Sequence, residues 1–215
     1  MADATRPDTP RAWPTQAAHP WHGVSIGADA PATVTAYIEI VPGDTVKYEI
    51  DKPTGLLKVD RPQQYSNVCP TLYGFLPRTY CGDRVAGLSA AATGRSTVQG
   101  DGDPLDICVL TEKVFTRGDF LLQAVPIGGL RLIDRDEADD KVVAVLVGDP
   151  AYGHFTDIAE LPTALVDRLR HYFLTYKLPP GATTSSIDVT HVYGREVAHD
   201  VILRSVEDYR ALVWE

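Results

Sequence analysis

From Val34 onward, apolar and polar positions alternate. Val34, Ala36, Ile38 and Ile40 fall on one face and Thr35, Tyr37, Glu39 and Val41 on the other, which predicts a half-buried strand carrying one carboxylate. The run Val46 to Ile50 repeats the pattern, with Val46, Tyr48 and Ile50 opposite Lys47 and Glu49. The turn signal Asp51-Lys-Pro-Thr-Gly55 then leads into a third strand, Leu56 to Arg61. Further strands are predicted over Leu105 to Leu110, Phe120 to Val125 and Lys141 to Val147, each bounded by Gly, Pro or Asp clusters. Many short strands at close spacing suggest a small closed barrel.

The period lengthens toward the end of the chain. Leu161, Leu165, Leu169, Tyr172, Phe173 and Tyr176 recur at steps of three or four, and Pro179-Pro-Gly181 stops the helix soon after Lys177. A second helix is predicted over about Glu196 to Val213. Residues 1–33 are rich in Ala and Pro and lack either period, which predicts an extended arm whose Trp13 and Trp21 dock on the body. Residues 34–215 then read as a single domain. Within it, the Ala- and Ser-rich stretch at about 78–100 reads as an inserted surface loop.

Composition narrows the functions open to such a chain. Its 215 residues, 44% of them hydrophobic, suffice for one full core. A net charge of -9 argues against a nucleic-acid or anionic-membrane surface, because such surfaces are met largely by basic residues. An acidic chain still binds phosphate where metal ions intervene. Cys69, Cys81 and Cys108 are odd in number and far apart, without a Cys-x-x-Cys pair, which is the usage of a reducing compartment. With neither a secretory pattern at Met1 to Arg6 nor an apolar run long enough to span a bilayer, the expected location is cytoplasmic.

The most informative stretch is Asp101-Gly-Asp-Pro-Leu-Asp106, three carboxylates in six residues followed by the apolar run Ile107 to Leu110. A solvated acidic turn is the plain reading of Asp-Gly-Asp. A metal site is the sharper one, because hard divalent ions, Mg²⁺ above all, take oxygen ligands and bind substrate phosphates at the same time. The ligand series of a calcium-binding EF-hand loop is missing.

The segment resembles the Asp-x-Asp-Pro-x-Asp signature of the first family of soluble inorganic pyrophosphatases. Other motifs of that family follow in order from about Ala36 to Lys177: Ile38-Glu-Ile40, Lys47-Tyr-Glu-Ile-Asp51, Val59-Asp-Arg61, Tyr73-Gly-Phe75, Asp134, Asp139, Lys141 and Tyr176-Lys177. The resemblance implies an α+β, mainly β fold: a five-stranded closed barrel of the oligonucleotide-binding type with two C-terminal helices flanking it.

It also implies hydrolysis of inorganic pyrophosphate to two phosphates with several Mg²⁺ ions per site, for which Mn²⁺ or Zn²⁺ substitute. Position by position, Asp101, Asp106 and Asp139 match the carboxylates that hold a tight pair of ions, with Asp106 between them. Glu39, Asp134 and Asp139 match ligands of ions that arrive with substrate, and Glu49 one that acts through water. Asp103 matches the base that takes the proton of the attacking water. Lys47, Arg61, Tyr73, Lys141, Tyr176 and Lys177 match the groups that grip the phosphoryl oxygens, although Tyr176 also lies on its helix's apolar stripe. A homo-oligomer is implied, a hexamer in preference to a dimer.

The chain departs from the family at Cys69-Pro70, where a tyrosine often precedes the proline. Cys108 shares a strand face with Asp106 but reads as a buried inert thiol, and His154 and His171 read as solvated or structural. Two rival functions remain: a metal-dependent hydrolase of longer polyphosphates or nucleotides, and a non-enzymatic barrel that binds single-stranded nucleic acid. The second would need a basic groove with stacking aromatics.

Overall fold

The computed structural model describes residues 18–179, 181–182 and 184–214. Its strands are β1 Val34–Ile40, β2 Val46–Ile50, β3 Leu57–Pro62, β4 Leu72–Phe75, β5 Gln99–Gly100, β6 Asp106–Leu110, β7 Phe120–Asp134, β8 Glu137–Ala138, β9 Lys141–Leu146 and β10 Ile187–Gly194. The helices are α1 Asp83–Thr93, α2 Thr163–Thr175 and α3 Arg195–Trp214, with a single 3-10 turn at Ile158–Glu160. β1 pairs with β4, β4 with β6, β6 with β9, β9 with β7, and β7 again with β1. Only the β6–β9 pairing in this circuit is parallel. β10 extends the second half of β7, while β2 and β3 form a separate hairpin.

Both faces of the circuit are covered. In β9, Val142 and Ala144 join a cluster with Val85 of α1 and Ala198, Val201 and Ile202 of α3, whereas Val143 and Val145 join one with Leu169, Tyr172 and Phe173 of α2. This alternation follows from successive side chains pointing to opposite faces. It also corrects the expectation for β1: all seven residues are buried, Glu39 among them, instead of one face meeting water. The second face is sealed where Tyr37 packs with Trp21, Phe75 and Tyr209.

Three further expectations change. The stretch read as a surface loop contains α1. No local residue caps that helix; Asp208, on α3, accepts from the backbone N–H groups of Gly82, Arg84 and Val85 at 3.1 Å each and from the Arg84 guanidinium at 3.0 Å. A cap supplied from far along the chain leaves no local signal. Among the described residues α1 thus joins the two expected C-terminal helices, α2 and α3. β7 runs well past Val125, because Pro126 and Gly128 fall at a register shift where a strand tolerates them. β4 and β10 carry no clean alternation and were not foreseen.

The arm docks as expected at Trp21, which is 5% exposed and donates from Nε1 to the Thr79 carbonyl at 2.7 Å. Trp13 lies outside the described residues. No helix among the described residues is long and apolar enough to cross a membrane.

Asp149 pins the bend after β9. Its carboxylate accepts from the Thr111 hydroxyl at 2.6 Å and from the N–H groups of Glu112, Ala151 and Tyr152 at 3.0, 2.9 and 2.9 Å. Burial pushes this carboxyl upward, but the four donors outweigh it and hold it below the ordinary value. A depressed folded pKa gives stability that is complete above the ordinary carboxylate range and lost as pH falls through the folded value. Asp149→Asn is expected to cost about 1–2 kcal/mol at pH 7 and almost nothing in strong acid, read from urea midpoints across a pH series. An equal cost at every pH would contradict this.

Candidate active site

One cleft of about 310 Å³ gathers Glu39, Lys47, Glu49, Lys52, Asp60, Arg61, Tyr73, Asp101, Asp103, Asp106, Asp139, Lys141, Tyr176 and Lys177. Of the thirteen residues expected from sequence, Asp134 alone does not line it. Asp134 sits at the end of β7, where it accepts from Lys177 Nζ at 2.7 Å and so steadies a cleft residue from behind.

The register of the strands explains much of the convergence. Asp106 on β6 lies directly opposite Lys141 on the parallel strand β9, and Tyr73 on β4 opposite Cys108, two residues along from Asp106. The Lys141 ammonium meets both Asp106 and Asp139, and the Tyr73 hydroxyl donates to Asp106 Oδ2 at 2.6 Å. On its other side β4 lies close against β1, where a Cβ on Gly74 would stand 1.9 Å from the Tyr37 carbonyl oxygen.

Two bulges aim carboxylates. The β1–β4 register slips between Ile38 and Ile40, at Glu39, and the β2–β3 register slips so that Asp60 is the extra residue on β3. A bulge turns its side chain out of the alternation, and bulges gather at functional sites for that reason. Glu39 Oε1 accepts from the Ile50 N–H at 2.7 Å; Asp60 accepts from Arg61 at 2.5 Å and stands 3.2 Å from Lys47.

The signature itself is a tight turn. Asp101 Oδ1 accepts from the Asp103 N–H at 2.9 Å, and Gly102 adopts a φ of 73°, which suits glycine. Backbone bonds from Gly102 to the Cys81 carbonyl and from Cys81 to the Asp103 carbonyl, at 3.1 and 2.8 Å, tie the turn to the segment before α1. Asp103 is left half-exposed at the mouth, where the Lys52 ammonium meets it.

Charge in this cleft is held under strain. Burial raises Asp101 to about 9, with Asp139 adding repulsion, and raises Glu39 to about 8 despite the Ile50 N–H. Asp106 is raised by burial against the pull of Lys141. Lys141 is buried too, yet Asp106 and Asp139 overcome the desolvation and keep it an ammonium. Further cations line the cleft: Lys47 contacts Glu49, Lys177 lies 5.3 Å from the centre of the Tyr176 ring, and Arg61 Nη2 is buried without a partner among the described residues.

These donors fit a hard divalent cation in kind: the acidic wall offers carboxylate oxygen and no sulfur or imidazole. No three acidic, His or Cys side chains among the described residues converge as they stand, because Lys141 occupies the centre of the group. His154 and His171 are exposed, and Cys108 is fully buried with its thiol pushed well up by that burial. Tyr176 packs with Tyr172 and Phe173 and also lines the cleft.

Sequence reasoning missed Lys52 and Asp60. Lys52 belongs to the turn Asp51 to Gly55 and Asp60 to Val59-Asp-Arg61, and nothing in their spacing announces that a hairpin tip reaches Asp103 or that a bulge turns Asp60 inward.

A cleft that gathers carboxylates and cationic side chains together suits a protein that holds a dense anion through intervening cations. Residues 36–210 match the family model described as inorganic pyrophosphatase. The chain is 52% identical over 200 residues to the inorganic pyrophosphatase of Chlamydia trachomatis, covering 91% of this chain and 96% of that one. It is 40% identical over 199 residues to the soluble inorganic pyrophosphatase of Oryza sativa, covering 93% and 83%. The crystal structure of the inorganic pyrophosphatase from Thermus thermophilus superposes with a TM-score of 0.74 at 27% identity, over 90% of this chain and 99% of that one. The type I enzyme of Toxoplasma gondii gives 0.75 at 26%, over 91% and 88%. The chain belongs to the inorganic pyrophosphatase family.

Lys141→Met leaves Asp106 and Asp139 buried without their cation. It is expected to cost about 3–5 kcal/mol in urea unfolding with chelator present. Lys52→Met, which breaks an exposed pair, is expected to cost under about 1 kcal/mol. Equal costs would show that the cleft is not the low-dielectric site described.

Proposed function

We propose that this chain hydrolyses inorganic pyrophosphate to two phosphates, with Mg²⁺ as cofactor. The observation that carries the reading is the meeting of Asp101, Asp103, Asp106 and Asp139 with Lys47, Arg61, Lys141 and Lys177 in one cleft. Asp101, Asp106 and Asp139 are the residues that would hold a resident pair of ions. Glu39, Asp134 and Asp139 take further ions with the substrate, and Glu49 acts through water. Bound there, Mg²⁺ neutralises the substrate and lowers the pKa of a coordinated water. Mn²⁺ and Zn²⁺ are the expected substitutes.

Asp103 is placed to take a proton from the attacking water: it is half-exposed at the mouth and free of the Lys141 cluster. Lys47, Arg61, Tyr73, Lys141, Tyr176 and Lys177 hold the phosphoryl oxygens, and the unpartnered Arg61 Nη2 is a donor waiting for an acceptor. Such contacts raise the rate as far as they strengthen while charge moves to the leaving phosphate.

We read the five-strand circuit as a small closed barrel of the oligonucleotide-binding type, and residues 34–215 as one domain behind the arm. The buried free thiols of Cys69, Cys81 and Cys108 agree with a cytoplasmic location. Cys69 packs in the α2 cluster, so the departure at that position falls in the core behind the cleft. A homo-oligomer, in particular a hexamer, is the expected assembly.

Phosphate release from pyrophosphate should require Mg²⁺ and stop with chelator. Asp103→Asn is expected to lower kcat about 10²–10⁴-fold, and Asp106→Ala to leave almost no turnover. Full turnover in Asp106→Ala would reject the site. Faster hydrolysis of tripolyphosphate or ATP than of pyrophosphate would favour the broader hydrolase, and salt-sensitive oligonucleotide binding without hydrolysis would favour the binding module.

A further inference from the structure

Behind the acidic wall lies a second charged group that the reaction does not touch. Asp139, Asp140 and Lys141 are consecutive at the entry to β9; Asp139 and Lys141 line the cleft, while the Asp140 side chain is buried away from it. There the Asp140 carboxylate, with no exposed surface, accepts from Arg131 Nε at 3.3 Å and from the Ser89 hydroxyl at 2.9 Å. Arg131 belongs to β7 and Ser89 to α1. The Arg131 guanidinium stands 5.2 Å from the centre of the Tyr193 ring on β10, and that ring lies so close on β7 that a Cβ at Gly129 would meet it at 2.4 Å. A backbone bond from the Asp139 N–H to the Leu132 carbonyl, at 3.0 Å, adds a fourth tie beside Arg131.

A buried ion pair is a poor device for stability alone, since well-packed apolar residues of similar volume serve as well or better. What it adds is direction. A salt bridge and a hydroxyl bond fix the Asp140 carboxylate to two elements, and the backbone on either side of it carries Asp139 and Lys141.

We propose that Arg131, Asp140 and Ser89 are positioning residues that set the geometry of the Asp139 and Lys141 side chains for the divalent cation. This rests on the functional reading above. Partners that orient a metal ligand typically affect metal affinity or activity about 10- to 100-fold when removed.

The test uses the full chain and Mn²⁺ alone, titrated calorimetrically without substrate, beside urea midpoints and steady-state kinetics with pyrophosphate. The double variant Arg131→Met with Asp140→Leu exchanges the pair for apolar volume. It is expected to keep the parental urea midpoint while its Mn²⁺ dissociation constant rises about tenfold, with the loss in turnover falling on kcat rather than KM. Parental Mn²⁺ affinity in the folded double variant overturns the proposal. Should that variant not fold, Ser89→Ala removes only the hydroxyl bond. There a two- to tenfold weaker Mn²⁺ affinity at an unchanged midpoint supports the proposal, and parental affinity overturns it. A parental chain that binds no Mn²⁺ would instead sink the metal reading of the cleft, and this proposal with it.

Discussion

The constraint on which the site depends is electrostatic: several carboxylates must be held together, largely out of water, without flying apart or folding the chain some other way. Burial and mutual repulsion drive Asp101 and Glu39 far above the ordinary carboxylate range, so the cluster carries its full negative charge only while something positive shares it. In the protein alone that partner is Lys141, between Asp106 and Asp139. A cluster that requires positive charge is also one that attracts it, and divalent cations recruited there can hold an anion as dense as pyrophosphate. The same interaction thus explains a cost to the fold and a capacity of the site.

The sheet bears that cost through rigid placement. Parallel register sets Asp106 against Lys141, bulges at Glu39 and Asp60 turn two more carboxylates toward the same space, and a glycine turn fixes Asp101 and Asp103. Each device is backbone geometry, backed by clusters on both faces of the strands.

Much of this was legible in the sequence, and the exceptions have physical causes. The alternation of Val46 to Ile50 and the 3.6-residue period after Leu161 gave β2 and α2 nearly to the residue, because each pattern is written locally. The burial of β1 on both faces was not, since Thr35, Tyr37 and Glu39 are polar residues covered by distant parts of the chain. α1 was hidden because Asp208 caps it from α3. The ordered motifs of the resemblance name twelve residues that line the one cleft, whereas spacing alone singled out only the Asp101 to Asp106 turn. Lys52 and Asp60 carry no such mark, because a hairpin's reach and a bulge's twist are invisible in composition.

The central claim is that the Asp101, Asp106 and Asp139 carboxylates share divalent cations in one cleft. Crystals grown with Mn²⁺ and measured for its anomalous scattering test it most directly. The account predicts anomalous peaks ligated by oxygens of these three residues, with the Lys141 ammonium displaced from between Asp106 and Asp139. Mn²⁺ found only on surface carboxylates elsewhere, with Lys141 still bridging the pair, would contradict it.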